Sequence, residues 1–294
     1  MTNRWVARRD DALRARLVEV TPLPGVRAGS ALVRLGDRLV VVQDDVASIA
    51  FVDLATRAVR PLPLRPGGER GDAKLAKADL EVAFVDARGA LWLLGSGATD
   101  RRRSVVRIVD ADGPAPRIDW REAGALYDAV AERLCATPNV EGARLSGDRL
   151  QLFHRGAGSV PSALVDVAAA ALDGGPADAR PAVAIDFGRV EGVALAPTDV
   201  AELADGRFAW LGVAEDTPDA VADGPIVGSA FGVGTSGGSL AWTVLREADG
   251  APSARKCEGL VLDGGAPRSG WVVTDPDDAD RWAELARLEL DGAW

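Results

Sequence analysis

The sequence is poor in the side chains that most enzymes recruit first. Its 294 residues include two cysteines, Cys135 and Cys257, one histidine, His154, one methionine and one tyrosine. Two cysteines are too few for a disulfide framework or a cysteine-based zinc site, and both are expected to be buried thiols. One histidine excludes a histidine-pair metal centre, and any Ser-His-Asp triad would depend on His154. Lysine is nearly as scarce: of 34 basic residues only Lys74, Lys77 and Lys256 are lysines. In a chain that otherwise uses arginine, these few residues are worth locating. Positive charge is short overall. A formal net charge of −10 speaks against nucleic acid or an anionic membrane as partner, because both need a basic footprint. No apolar run approaches the roughly 20 residues that span a bilayer. Met1 to Val18 carries Arg and Asp throughout, without the apolar centre of a signal peptide. The expectation is a soluble, cytoplasmic protein.

What the sequence has in their place is repetition. Four segments align: DLEVAFVDARGALWLLGSG from Asp79, NVEGARLSGDRLQLFHRG from Asn139, RVEGVALAPTDVAELADGRFAWLGVAED from Arg189 and KCEGLVLDGGAPRSGWVVTDPDD from Lys256. AGSALVRLGDRLVVVQDD from Ala28 keeps the pattern with Ser30 where the others have Glu. Glu81, Glu141, Glu191 and Glu258 thus share one position, at a period of roughly 50 to 65 residues. Each unit reads as two apolar strands joined by a Gly/Asp turn. Two more strand candidates follow each of the first four, such as SIAFVDL and AVRPLPL or SVVRIVD and PRIDW. Four strands per unit at this period predict an all-β β-propeller. The last unit is one strand short, and Leu17 to Leu23 is a strand without a unit, so the N-terminal strand is expected to complete the last blade and close the ring. Residues 1–294 then form a single domain of five blades, or six if the long fourth unit splits. Leu126, Val130 and Leu134 recur at helical spacing, predicting a helical insertion at about 121–135 between the second and third blades.

In a propeller the first strand of each blade lines the channel and the second runs back, so the start of one and the end of the other meet on one face. Side chains two apart on a strand point the same way. Asp79 then goes with Glu81, Asn139 with Glu141, Arg189 with Glu191 and Lys256 with Glu258, and Lys77 precedes the first pair. Asp44, Arg155, Glu215 and Asp275 end the second strands, with His154 beside them. Lys77, Asp79, Arg155, Arg189, Lys256 and Asp275 are candidate ligand-binding residues, and His154 and Arg155 candidate catalytic ones. Acid exceeds base in this set. Carboxylates about 8 Å apart repel by about 2 kcal/mol at an effective dielectric of 20, which raises their pKa values unless something compensates. A divalent cation on Glu81, Glu141, Glu191 and Glu258 would do so, and an oxygen-rich site of flexible geometry suits Ca²⁺ better than Mg²⁺. The same ring has a structural reading: Gly for close backbone approach, Glu as acceptor for neighbouring amides. Trp92, Trp210 and Trp271 share a second-strand position suited to the core between blades.

Gly232-Val-Gly-Thr-Ser-Gly237 spells a dinucleotide fingerprint but precedes a strand, so it reads as a hairpin turn and no nucleotide cofactor is expected. The acidic run from Asp275 to Asp280 lacks the central Gly and final Glu of a Ca²⁺ loop. The Glu-Gly segments, above all NVEGARLSGDRLQLFHRG and KCEGLVLDGGAPRSGWVVTDPDD, resemble those of uncharacterised bacterial propellers related to the phytase-like esterase domain. That resemblance implies a polar, Ca²⁺-dependent pocket at the axis, with Glu81, Glu141, Glu191, Glu258 and Arg155 as the matching positions. Ser30 in the first unit and Glu81-Val82 in the second depart from the motif. Two functions follow. One is a cation-dependent hydrolase or lyase acting on an anionic small molecule held by Lys77, Lys256 and Arg155. The other is a non-catalytic scaffold that binds a protein partner, its Glu ring purely architectural.

Overall fold

Short apolar runs bounded by Gly, Asp and Pro make strands, because turns interrupt them before a helix can propagate. The computed structural model describes residues 4–68, 77–156, 158–217, 224–264, 268–278 and 280–294, and among these it has 22 strands and one α-helix. Lys74 lies outside the described residues. Strands β1 (Arg4–Arg9) and β2 (Arg14–Pro22) come first. Unit I is β3 (Gly29–Leu35), β4 (Arg38–Gln43), β5 (Ser48–Asp53) and β6 (Val59–Pro63). Unit II is β7 (Leu80–Val85), β8 (Leu91–Gly95), β9 (Ser104–Val109) and β10 (Arg117–Glu122). Unit III is β11 (Val140–Ser146), β12 (Arg149–His154), β13 (Ala163–Ala168) and β14 (Val183–Asp186). After the two-residue β15 (Arg189–Val190) comes unit IV: β16 (Val193–Glu202), β17 (Phe208–Glu215), β18 (Ile226–Gly234) and β19 (Ser239–Glu247). Unit V has β20 (Lys256–Leu262), β21 (Ser269–Asp275) and β22 (Glu284–Asp291).

Every unit is an antiparallel meander, and the long fourth one pairs as a single run of four strands. The first strands β3, β7, β11, β16 and β20 each pack on the next, and β20 packs on β3, so the circuit returns to its start. This is a β-propeller. Among the described residues, hydrogen bonds do not close its sheets into a ring. Hydrophobic seams hold neighbouring units instead, one between each pair, from units I and II round to units V and I. Trp92, Trp210 and Trp271 are buried in three of these seams as expected. Truncating fully buried Trp210 to Ala should cost about 3–5 kcal/mol.

The N-terminus does more than the sequence predicted. Strand β2 pairs antiparallel with β22, from Arg14 opposite Asp291 to Pro22 opposite Glu284, and so supplies the fourth strand of unit V. Strand β1 was not foreseen. It runs parallel to β14 (Arg4 opposite Ala184) and to β19 (Val6 opposite Ser239), joining the outer edges of units III and IV. Its sequence, RWVARR, is charged and mostly exposed, so no apolar alternation announces it. Helix α1 (Gly124–Leu134) buries Leu126, Tyr127, Val130 and Leu134 in the seam between units II and III. The Tyr127 hydroxyl donates to the Gly95 carbonyl at 2.6 Å, anchoring the helix to β8. Cys257 is buried, but Cys135 is exposed: it ends the helix with φ +55° and is turned out of the seam. The turn read over Gly232 to Gly237 is narrower and later: Gly232 to Gly234 belong to β18, and Thr235 to Gly238 make the turn into β19.

Candidate functional site

One backbone feature recurs in all five units. Each first strand shifts register against its second strand at a single residue: Ser30, Glu81, Glu141, Thr198 or Glu258. Such bulges re-aim a side chain out of the regular alternation. At two of them the hydroxyl is structural. Ser30 donates to the Leu80 carbonyl and Thr198 to the Cys257 carbonyl, each at 2.6 Å and each just before the next unit's own bulge. The glycines beside two of the glutamates serve close packing, since a Cβ on Gly259 would stand 2.7 Å from the backbone of Ala31 and Leu32.

The fourth position is a correction. It belongs to Thr198, not Glu191. Glu191 lies in the turn between β15 and β16 with φ +49° and is exposed, so it cannot join the ring. Arg189 is exposed too, and its Nη1 donates to the Gly192 carbonyl at 2.9 Å. The Val-Glu-Gly letters of this segment mark a local hairpin rather than a first strand.

The other predicted residues converge at one mouth of the channel. Lys77 Nζ pairs with Asp44 and lies 3.0 Å from Asp79 Oδ1, while Arg102 Nη1 is 2.8 Å from Asp79 Oδ2 and the Ser96 hydroxyl donates to the same oxygen. Asn139 Nδ2 donates to Glu141 Oε1 at 2.8 Å. Arg155 bridges Glu141 (3.9 Å) and Glu215 (2.6 Å). Lys256 Nζ lies 2.9 Å from Asp277, 3.6 Å from Glu258 and 3.8 Å from Asp275. Glu141 and Glu258 are buried and Glu81 is half-buried.

Burial sets the electrostatics. It pushes the Glu81 carboxyl well above the carboxylate range, and the charges of Glu141, Asp79 and Asp44 add to it against Lys77. Burial also lifts Glu258, opposed by Lys256 and reinforced by Glu141. Glu141 is raised by burial, with Arg155 pulling the other way. Asp275 is pushed up to about 7 by burial, against Lys256, with Asp277 adding to the rise. The cations respond in kind: burial would discharge Lys77, Arg155 and Lys256, but the surrounding carboxylates outweigh it and hold all three charged.

His154 does not join this chemistry. Its Nδ1 accepts a 3.0 Å hydrogen bond from the Asn139 amide, and burial lowers its pKa to about 4, so the ring is neutral and positions β11 against β12. Arg155, its neighbour, faces the other way. With Asn139, Glu215 and Lys256 it lines a cleft of about 700 Å³ between units III and IV, whose wall also includes Arg189. Two contributors were not foreseen. Arg102 sits in a run of three arginines with nothing to distinguish it. Asp199, next to Thr198, is buried and accepts amide hydrogen bonds from Val200 and Leu260 at 2.7 Å and from Leu32, tying units IV, V and I together.

The metal expectation needs revision at the level of residues. Among the described residues, the set that lies close enough to hold an ion is Asp44, Asp79 and Glu81, each offering one oxygen within 4.8 Å of the others. Two of these already share the Lys77 ammonium. The chain thus supplies its own cation at this point, and a divalent ion would have to displace it.

A family model described as a family of unknown function (DUF6929) matches residues 25–290, so the chain belongs to that family. No curated protein matches the sequence. Three solved structures match across nearly their whole length. The glutaminyl cyclase of Myxococcus xanthus is 13% identical, with 98% of this chain and 100% of that one covered and a TM-score of 0.52. The α-L-arabinofuranosidase of Podospora anserina, solved in complex with cellotriose, is 11% identical with 99% and 98% covered and a TM-score of 0.53. The catalytic domain of the Coprinopsis cinerea GH62 α-L-arabinofuranosidase is 14% identical with 95% and 96% covered and a TM-score of 0.53. At these identities the likeness is one of fold.

Proposed function

We propose that this member of a family of unknown function is a hydrolase that binds a small anionic molecule at the channel mouth and cleaves an ester-type bond in it. One observation carries the reading: Asn139, Arg155, Glu215 and Lys256 belong both to the buried carboxyl network and to the wall of the cleft. A ligand in the cleft therefore meets titratable groups whose protonation the protein has already shifted. Arg155 and Lys256 hold the anion. Glu258, whose carboxyl burial holds well above the carboxylate range, serves as proton donor to the leaving oxygen, and Asp275, pushed up to about 7, takes a proton from the attacking water. Resemblance of the Glu-Gly segments to phytase-like esterases supports the ester class. The solved neighbours named above include enzymes, although fold alone does not select a chemistry.

The test is a panel of p-nitrophenyl carboxylate and phosphate esters assayed with the wild type, Glu258→Gln and Arg155→Gln. Turnover that falls in both variants while circular dichroism stays native supports the assignment. No turnover and no ligand-induced thermal shift would leave the protein-binding scaffold standing. A second reading rests on Asp44, Asp79 and Glu81, which would hold Ca²⁺ in place of the Lys77 ammonium, the ion then supplying Lewis acidity. It requires added Ca²⁺ to raise the unfolding temperature of the wild type but not of Glu81→Gln.

A further inference from the structure

Away from the channel, four arginines line a second cavity in a chain that is acidic overall. Strands β1 and β2 both run parallel to β19, β1 along Ser239 to Trp242 and β2 along Leu245 to Glu247. Neither pairs with Thr243 or Val244, which form the floor of a notch of about 520 Å³ where one strand hands over to the other. Arg9, Arg14, Arg16 and Arg246 line it, and Asp11 is the one acid among the lining residues. Three of the arginines are only partly satisfied within the protein. Arg9 pairs with Asp11 at 2.8 Å and Arg246 donates to the Gly250 carbonyl at 2.8 Å. Arg16 reaches Glu289 at 3.2 Å and Asp291 at 3.6 Å through Nη2, yet its buried Nε has no partner. Arg14 makes no ion pair among the described residues. The cavity has the volume of a small-molecule site. Guanidinium forks match the geometry of phosphate oxygens and remain charged at every physiological pH.

We propose that this notch is an anion site for a small molecule bearing two or more phosphate groups, distinct from the channel mouth. A diphosphate there would neutralise the crowded arginines and fasten both N-terminal strands to β19. Pyrophosphate is the probe, titrated by calorimetry against full-length protein at constant ionic strength, with thermal unfolding in parallel. Saturable binding that raises the unfolding temperature, and that weakens about tenfold or more in Arg14→Gln/Arg246→Gln, is the expected result. Arg14→Gln alone removes no ion pair seen within the protein, so it keeps the test open if the double variant does not fold, and it should weaken binding several-fold. Equal affinity in wild type and variants, or no saturable binding at millimolar pyrophosphate, overturns the assignment.

Discussion

The bulges of units I and IV and those of units II, III and V share one backbone and differ in one side chain. Ser30 and Thr198 put a hydroxyl at that point and use it on the neighbouring unit's carbonyl. Glu81, Glu141 and Glu258 put a carboxyl there, surrounded by Lys77, Arg155 and Lys256. The fold asks only for a bulge. Where the residue donates a hydrogen bond it stitches the ring, and where it is an acid, burial turns it into a group with altered proton affinity. At the bulge itself, a titratable side chain is thus found in three units of a ring whose backbone feature is repeated in all five.

The comparison can be broken from either side. The largest effect is expected from Glu258→Gln, which should lower turnover by about 10²–10⁴-fold in the ester assay if Glu258 is the proton donor, with little loss of stability because the side chain stays isosteric. Next comes Asp199→Ala in the hydroxyl sector. It strands the amides of Val200, Leu260 and Leu32, at about 1–3 kcal/mol each, and a urea midpoint should fall accordingly. A third test uses pH. The folded pKa of Asp275 is raised to about 7 from an ordinary 3.8, so the folded state holds the proton more tightly and stability is lost as pH rises through that window. At about 1.4 kcal/mol per unit, Asp275→Asn should gain a few kcal/mol over the wild type between about pH 4 and pH 7. His154 works the opposite way, destabilising the fold as pH falls from 6.5 towards about 4, and that contribution should persist in the Asp275 variant. The smallest effect is Ser30→Ala, about 1 kcal/mol in chemical denaturation with turnover unchanged.

Much of this was legible in the sequence because the repeat is carried by burial. Apolar strands recur wherever a seam must be filled, so the units, the helix and the buried tryptophans could be read from spacing. The mouth was legible where the bulged residue is Glu, and at Glu141 and Glu258 the letters Glu-Gly mark both the acid and the close approach behind it. It failed at the fourth unit, where Thr198 plays the part without a charge and Glu191 imitates it in a turn. Strand β1 left no apolar trace because it is held by its backbone at an outer edge. Arg102 and Asp199 act across long sequence distances, and nothing in their local surroundings says so.

The pairing of β2 with β22 brings residues near the two ends of the chain into one sheet. A strand made early meets β22 only once the last unit exists, so folding cannot finish locally, and a contact of such sequence separation slows it. Unfolding faces the matching obstacle, because unit V cannot open without releasing β2, which β19 also grips. Endurance against proteolysis and heat should then be governed by the rate at which this clasp lets go, and weakening β2 should shorten the protein's lifetime more than its equilibrium stability suggests.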